Sequence, residues 1–138
     1  MFRTLSILFI FLLLNVSSVS SSNFNYGSGY AAKSVLASQS LINAMDKVDN
    51  RIYAVGEHGI ILYSDDFGDS WTQAESVPYT STLTDISCSS KQSCWVTGHD
   101  ATILHSNDHG VTWIKQYEDP GWDAPLLSIH MFDDKVGI

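Results

Sequence analysis

Basic residues are scarce. The chain of 138 residues has 7 Lys+Arg against 15 Asp+Glu, a formal net charge of −8. Arginine occurs only at Arg3 and Arg51. An acidic surface repels phosphate backbones and anionic lipid heads, which argues against direct nucleic-acid binding. Cysteine is nearly absent: the two residues are Cys88 and Cys94, and their C-x5-C spacing is not the C-x-x-C of a redox motif. No apolar run reaches the roughly 20 residues of a membrane-spanning helix. The longest, Leu5–Leu14, follows Arg3 and precedes the small residues Ser17-Ser18-Val19-Ser20-Ser21-Ser22. This is the layout of a secretory signal peptide over 1–22. The chain is therefore expected to be exported, to the periplasm or beyond, with no span after cleavage. Heptads and amphipathic helical patterns are missing as well.

What is present is a repeat. Ser64-Asp65-Asp66-Phe67-Gly68-Asp69-Ser70-Trp71 and Ser106-Asn107-Asp108-His109-Gly110-Val111-Thr112-Trp113 both fit S-x-D-x-G-x-[ST]-W, the Asp-box, and lie 42 residues apart. The register extends outward: Leu41 matches Leu83, Gly56 matches Gly98, and Ile61-Leu62 matches Ile103-Leu104. A period in the low forties is that of a four-stranded propeller blade. The expected fold is all-β, an incomplete β-propeller of four-stranded antiparallel blades with little helix.

Each residue of the motif has a local role. The carboxylates of Asp66 and Asp108 can accept hydrogen bonds from turn N–H groups. Gly68 and Gly110 supply a backbone angle that residues with a Cβ avoid. The hydroxyls of Ser64, Ser70, Ser106 and Thr112 add short-range bonds. Trp71 and Trp113 are expected at equivalent buried positions, where an aromatic ring fills space between sheets. These residues are read as structural.

Three stretches follow from the repeat. After a leader over 23–40, blade one covers 41–80, with strands expected near Leu41–Met45, Arg51–Gly56, Ile60–Ser64 and Ser70–Ala74. Blade two covers 83–122, with strands near Leu83–Cys88, Ser93–Gly98, Thr102–Ser106 and Thr112–Tyr117. A partial third blade over 126–138 restarts with Leu126–Met131 and a second strand at Lys135-Val136-Gly137-Ile138. Closed propellers have about four to eight blades, so the pattern is expected to be the N-terminal part of a longer one. Cys88 and Cys94 bracket the first hairpin of blade two. A structural disulfide contributing about 2 kcal/mol is expected there, rather than redox chemistry.

Propeller connectivity sorts the loops onto two ends. The Asp-box turns share one end, where His105 and His109 are expected to be exposed. The other end carries the turns between second and third strands and the links between blades. Partner sites are expected there, from Glu57, His58, His99 and Asp100, with Tyr79 and Trp122 from the links. An acid and a histidine at matching positions of both blades could also begin a metal site, but no regular ligand spacing is present. No cofactor is expected.

Several stretches are similar to a known family: Ala54-Val55-Gly56-Glu57-His58-Gly59-Ile60-Ile61-Leu62-Tyr63-Ser64, Gly68-Asp69-Ser70-Trp71-Thr72-Gln73-Ala74, Leu83-Thr84-Asp85-Ile86 and Gly98-His99-Asp100-Ala101-Thr102-Ile103-Leu104. They resemble the photosystem II stability/assembly factor family, and within it the exported bacterial members with BNR repeats. The likeness covers about residues 31–138. It implies a seven-bladed propeller and a non-enzymatic scaffold that holds a membrane-associated protein partner during photosystem II biogenesis. The photosynthetic members carry an arginine-rich face, whereas this chain has only Arg51 after its leader. The alternative is a glycan-active or glycan-binding propeller, because sialidases also carry Asp-boxes. Sialidases clasp their substrate with three arginines, and Arg51 alone cannot. A glucanase-type pair needs carboxylates about 5–10 Å apart, and Glu57, Asp100 and Asp123 are the available acids.

Overall fold

The computed structural model describes residues 29–138. The signal segment 1–22 and residues 23–28 of the leader lie outside the described residues. Two four-stranded antiparallel sheets carry the fold, each with its strands in sequence order. The first contains β1 (Ile42–Val48), β2 (Arg51–Gly56), β3 (Ile61–Ser64) and β4 (Thr72–Gln73). The second contains β5 (Leu83–Cys88), β6 (Cys94–Gly98), β7 (Ile103–Ser106) and β8 (Ile114–Tyr117). Helical content among the described residues is confined to two 3-10 turns, Ala37–Gln39 and Glu57–Gly59. This is the incomplete propeller expected from the repeat.

Period-two alternation decides how the sheets meet. In blade one, Tyr53, Val55 and Ile61 point toward blade two and join one core cluster with Leu83, Ile86, Cys94, Val96, Leu104 and Trp113. The intervening Ala54 and Leu62 point the other way and pack with Ala37 and Ile60 in a second cluster, with Ile42 and Trp71 against it. Each sheet is thus apolar on both faces, as sheets packed face to face require. Polar bonds fix the register between blades. Asn43 Nδ2 donates to the Leu83 carbonyl (2.7 Å), and the Cys88 N–H donates to Asp46 Oδ2 (2.7 Å). The Glu75 N–H donates to the Val111 carbonyl (2.7 Å), and the Trp113 N–H to that of Ser76 (2.9 Å).

Both Asp-box turns close by the same bonds. In the first, Ser64 Oγ donates to Asp66 Oδ1 (2.7 Å) and accepts from the Gly68 N–H (2.8 Å), while the Ser70 N–H donates to Asp66 Oδ1 (2.8 Å). In the second, Ser106 Oγ donates to Asp108 Oδ1 (2.8 Å) and accepts from the Gly110 N–H (2.9 Å), and Thr112 donates to Asp108 through both its N–H (2.9 Å) and its hydroxyl (2.6 Å). Gly68 and Gly110 adopt φ of +97° and +76°. A Cβ on Gly110 would also stand 2.7 Å from the Tyr53 ring, so this turn needs glycine for close approach to blade one too.

The two boxes differ in burial, and Trp71 departs from expectation. Trp113 is 3% exposed and donates its Nε1–H to the Gly110 carbonyl (3.0 Å). Trp71 is only partly buried. The cause is the neighbour. Trp113 lies against the whole of blade one, whereas Trp71 faces the side on which the described residues supply only the short Ala37 segment. Asp66 is exposed and Asp108 half-buried for the same reason.

Most strand limits shift by a residue or two, and the larger differences are these. β1 runs on to Val48, and β4 shrinks to two residues. The 126–138 stretch forms no full strand. It makes a single antiparallel bridge, Met131 to Gly137, with His130 and Ile138 exchanging backbone bonds of 2.8 and 2.9 Å. It lies on blade two in the place of a third inner hairpin: the Leu126 N–H donates to the Gly98 carbonyl (3.0 Å), and the Ile129 N–H to Asp85 Oδ2 (2.9 Å). Cys88 and Cys94 pair directly across the β5–β6 hairpin and are joined by a disulfide, with Cα atoms 4.0 Å apart.

The Asp-boxes generate two predictions. Asp108→Ala should destabilise the fold by about 1–3 kcal/mol, through donors left unpaired in a half-buried turn. Asp66→Ala should cost less, because water replaces the lost acceptor; urea unfolding of the three proteins checks the order. The second prediction concerns acid. Hydrogen bonds from the Ser70 hydroxyl first, then its N–H and the Ser64 hydroxyl, hold the Asp66 carboxyl down from 3.8 to about 2. Asp108 is also lowered: burial pushes it up, but bonds from Thr112 and Ser106 together outweigh burial. Both groups bind fewer protons folded than unfolded, so their contribution is full above 3.8 and declines as pH falls below it, for Asp66 down to about 2. Asp66→Asn combined with Asp108→Asn should flatten the acid limb of stability in that window, as read from melting temperature against pH.

Candidate functional site

The end of the sheets opposite the Asp-boxes gathers most of the residues singled out from the sequence. Glu57-His58-Gly59 and His99-Asp100-Ala101 are the matching turns of the two blades. Both close through left-handed backbone: φ is 58° at His58 and 71° at Gly59, then 54° at Asp100 and 49° at Ala101. Two consecutive left-handed residues give the tight connection whose twist matches the flanking strands. His58 and His99 are exposed, and Glu57 and Asp100 are intermediate.

The links between blades lock these turns. The Gly59 N–H donates to the Ser81 carbonyl (2.7 Å), and the His99 N–H to that of Thr82 (3.0 Å). The Asp119 N–H donates to the Asp100 carbonyl (2.9 Å), and the Trp122 N–H to that of Asp119 (2.9 Å). Trp122 is thereby held beside the second turn with 56% of its surface open. The rim therefore brings together His99, Asp100 and Trp122, with Glu57 and His58 one blade away.

Tyr79 does not belong to the open rim. Its ring is 3% exposed within the inter-blade core, and its hydroxyl donates to the His99 carbonyl (2.8 Å). Burial raises its pKa, so the hydroxyl stays protonated as that donor. Tyr79 supports the rim from beneath and offers a partner no surface. Among the described residues no three His, Cys, Asp or Glu side chains gather as a metal group.

The Asp-box end holds residues that sequence reasoning passed over. Arg51 donates to Asp65 through Nε (2.7 Å) and Nη2 (2.6 Å), and through Nη1 to the His109 carbonyl of the next blade (2.8 Å). Its guanidinium lies 4.3 Å from the Tyr63 ring centroid. This bond from Arg51 lowers the pKa of Asp65. His105 and His109, expected to be exposed, are both half-buried: His105 stacks on Trp95 with ring centroids 4.2 Å apart, and burial lowers its pKa. The signal for Arg51 was its being the lone arginine of the repeat region. For Trp95 it was the match to Tyr53 one period earlier.

The rim turns differ at their buried third position, Gly59 against Ala101, which gives a prediction. A Cβ on Gly59 would stand 2.1 Å from the Tyr79 carbonyl oxygen, in a backbone conformation already costly for a side chain. Gly59→Ala should therefore destabilise by about 2–4 kcal/mol, from left-handed strain plus overpacking. Ala101→Gly should stay within about 1 kcal/mol of the parent, since relief of strain offsets the lost methyl burial. Denaturant midpoints of both variants test the contrast.

No family model and no curated protein matches the chain. Solved structures share its fold, among them the following two. YCF48 from Cyanidioschyzon merolae superposes with a TM-score of 0.58 at 22% identity, over 71% of this chain and 33% of that one. A structure of YCF48 bound to D1 peptide gives a TM-score of 0.60 at 21% identity, again over 71% and 33%. The chain thus spans about a third of the length of those proteins. Its two sheets are blades of a YCF48-like β-propeller.

Proposed function

We propose that the chain is an exported, non-enzymatic propeller scaffold that binds a protein partner in membrane-protein assembly, in the manner of photosystem II assembly factors. The observation that carries this reading is the shared fold with YCF48, including a form bound to D1 peptide. Its residues agree. Asp66, Gly68, Trp71 and their counterparts are consumed by turn closure, and no nucleophile–base pair stands out among the described residues once they are set aside. The partner meets the rim bearing Glu57, His58, His99, Asp100 and Trp122. An exposed tryptophan beside histidines and carboxylates suits a peptide that offers an apolar anchor and a basic or amide-rich flank.

The test is binding of a fluorescent D1 peptide to the mature protein, followed by anisotropy. The triple variant Glu57→Gln, His99→Ala, Trp122→Ala should weaken binding about tenfold or more, the loss of one or two anchor contacts. Its melting temperature should stay unchanged, because all three side chains are open to solvent at least in part. Unchanged affinity in the variant overturns the assignment of the rim. Hydrolysis of a glycoside by the purified protein, abolished by Glu57→Gln or Asp100→Asn without unfolding, overturns the scaffold reading itself.

A further inference from the structure

The link that follows blade two breaks the repeat. One period earlier, Val77-Pro78-Tyr79-Thr80 joins the two blades, and Val77 and Tyr79 are anchored in the core between them, each 3% exposed. Their counterparts 42 residues on are Asp119 and Gly121, with Pro120 kept between them. A carboxylate and a residue without a side chain thus replace the two apolar anchors. In place of Thr80 stands Trp122. Thr80 is exposed although blade two packs beyond it, so this position of the repeat is an open one. Trp122 has 56% of its surface open there.

A large ring at an open position fills no core, yet its backbone is held. The Gly121 N–H donates to Asp119 Oδ1 (3.0 Å), and the Trp122 N–H to the Asp119 carbonyl (2.9 Å). The Asp119 N–H in turn donates to the Asp100 carbonyl of the rim turn (2.9 Å). The charge beside the ring is of one sign. Asp119 and Asp123 flank it in sequence, and Asp100 adjoins through that bond. The ion pairs among the described residues are Arg51–Asp65, Lys91–Asp49 and Lys115–Glu118, and none of them takes up Asp100, Asp119 or Asp123. Lys33 is bonded to the Gln73 carbonyl, and Lys47 lies over the Phe67 ring. An acidic or neutral side chain laid on Trp122 would leave these carboxylates uncompensated. A guanidinium answers both, stacking on the ring face and pairing with the acids.

We infer that the link bearing Trp122 is the selective element of the rim, and that it receives an arginine side chain of the partner, stacked on the indole beside the Asp119 and Asp123 carboxylates. This inference rests on the rim being the partner site and specifies what that site selects. Arginine is favoured over lysine because its planar group can lie flat on a ring while its edge donates to a carboxylate. The departure from the repeat supplies the means: with no anchor at positions 119 and 121, the link is free to carry recognition instead of joining blades through their core.

The probes are blocked glycine pentapeptides with arginine, citrulline or leucine at the centre, titrated into the mature protein. Binding is read from the Gly121 amide resonance and, in the parent, from the Trp122 indole resonance. The arginine peptide should bind about five- to tenfold more tightly than either neutral one, with an advantage that shrinks as salt rises. Trp122→Phe should keep this ranking and Trp122→Leu should remove it, both at unchanged melting temperature because the position is exposed. Asp119→Asn combined with Asp123→Asn should reduce it. Absent shifts, equal affinity for the three probes, tighter binding of the leucine peptide, or a ranking that survives Trp122→Leu overturns the inference. If the probes bind equally while the rim triple variant loses the D1 peptide, the rim stands and the arginine site falls. If arginine selectivity requires Trp122 while the triple variant keeps its D1 affinity, the arginine site stands and the assignment of the D1 peptide to the rim falls.

Discussion

The contact between the Tyr53 ring and the bare backbone of Gly110 governs the architecture. A hairpin turn can approach an aromatic ring this closely only if it carries no side chain at the point of contact. Once it does, Trp113 is drawn into the same core, and its indole N–H closes on the Gly110 carbonyl. Arg51 then spans the joint from its own blade's Asp65 to the His109 carbonyl. Shape, hydrogen bonding and charge all act at one seam. The isolated sheets, each apolar on both faces, have no stable alternative to such a neighbour.

The sequence was informative wherever a residue's role is local. The Asp-box turns, the strand order and the positions of the glycines at positive φ follow from short-range chemistry repeated in register. Cysteines flanking a predicted hairpin were likewise legible, because antiparallel pairing places its two ends opposite each other. What escaped was everything decided by neighbours. Trp71 and Trp113 are identical in motif and differ in burial because only one has a full sheet against it. Tyr79, next to Pro78 in a link, reads as a surface residue until its ring is seen between the blades. His105 reads as an exposed histidine until Trp95 appears across the sheet. Short-range patterns carry no record of which face of a sheet another sheet will cover.

Function follows the same division. The motif residues explain stability, and the recognition we propose falls to positions outside the motif, on the opposite end of the blades. Loops there are free to vary because the Asp-boxes fix the sheets without them. The chain shares its fold with YCF48, and the rim is where we propose that a partner is met.

The left-handed turns at His58 and Asp100 have a thermodynamic consequence. Their backbone is fixed by bonds to the inter-blade links, and consecutive left-handed residues have few alternative conformations to visit. Little conformational freedom remains in the rim to be surrendered when a ligand arrives. The entropic burden of complex formation then falls on the ligand. If the rim is the partner site proposed above, flexible peptides would bind it more weakly than the same residues held in a preformed loop, and it would discriminate among ligands by their degree of prior order as well as by their side chains.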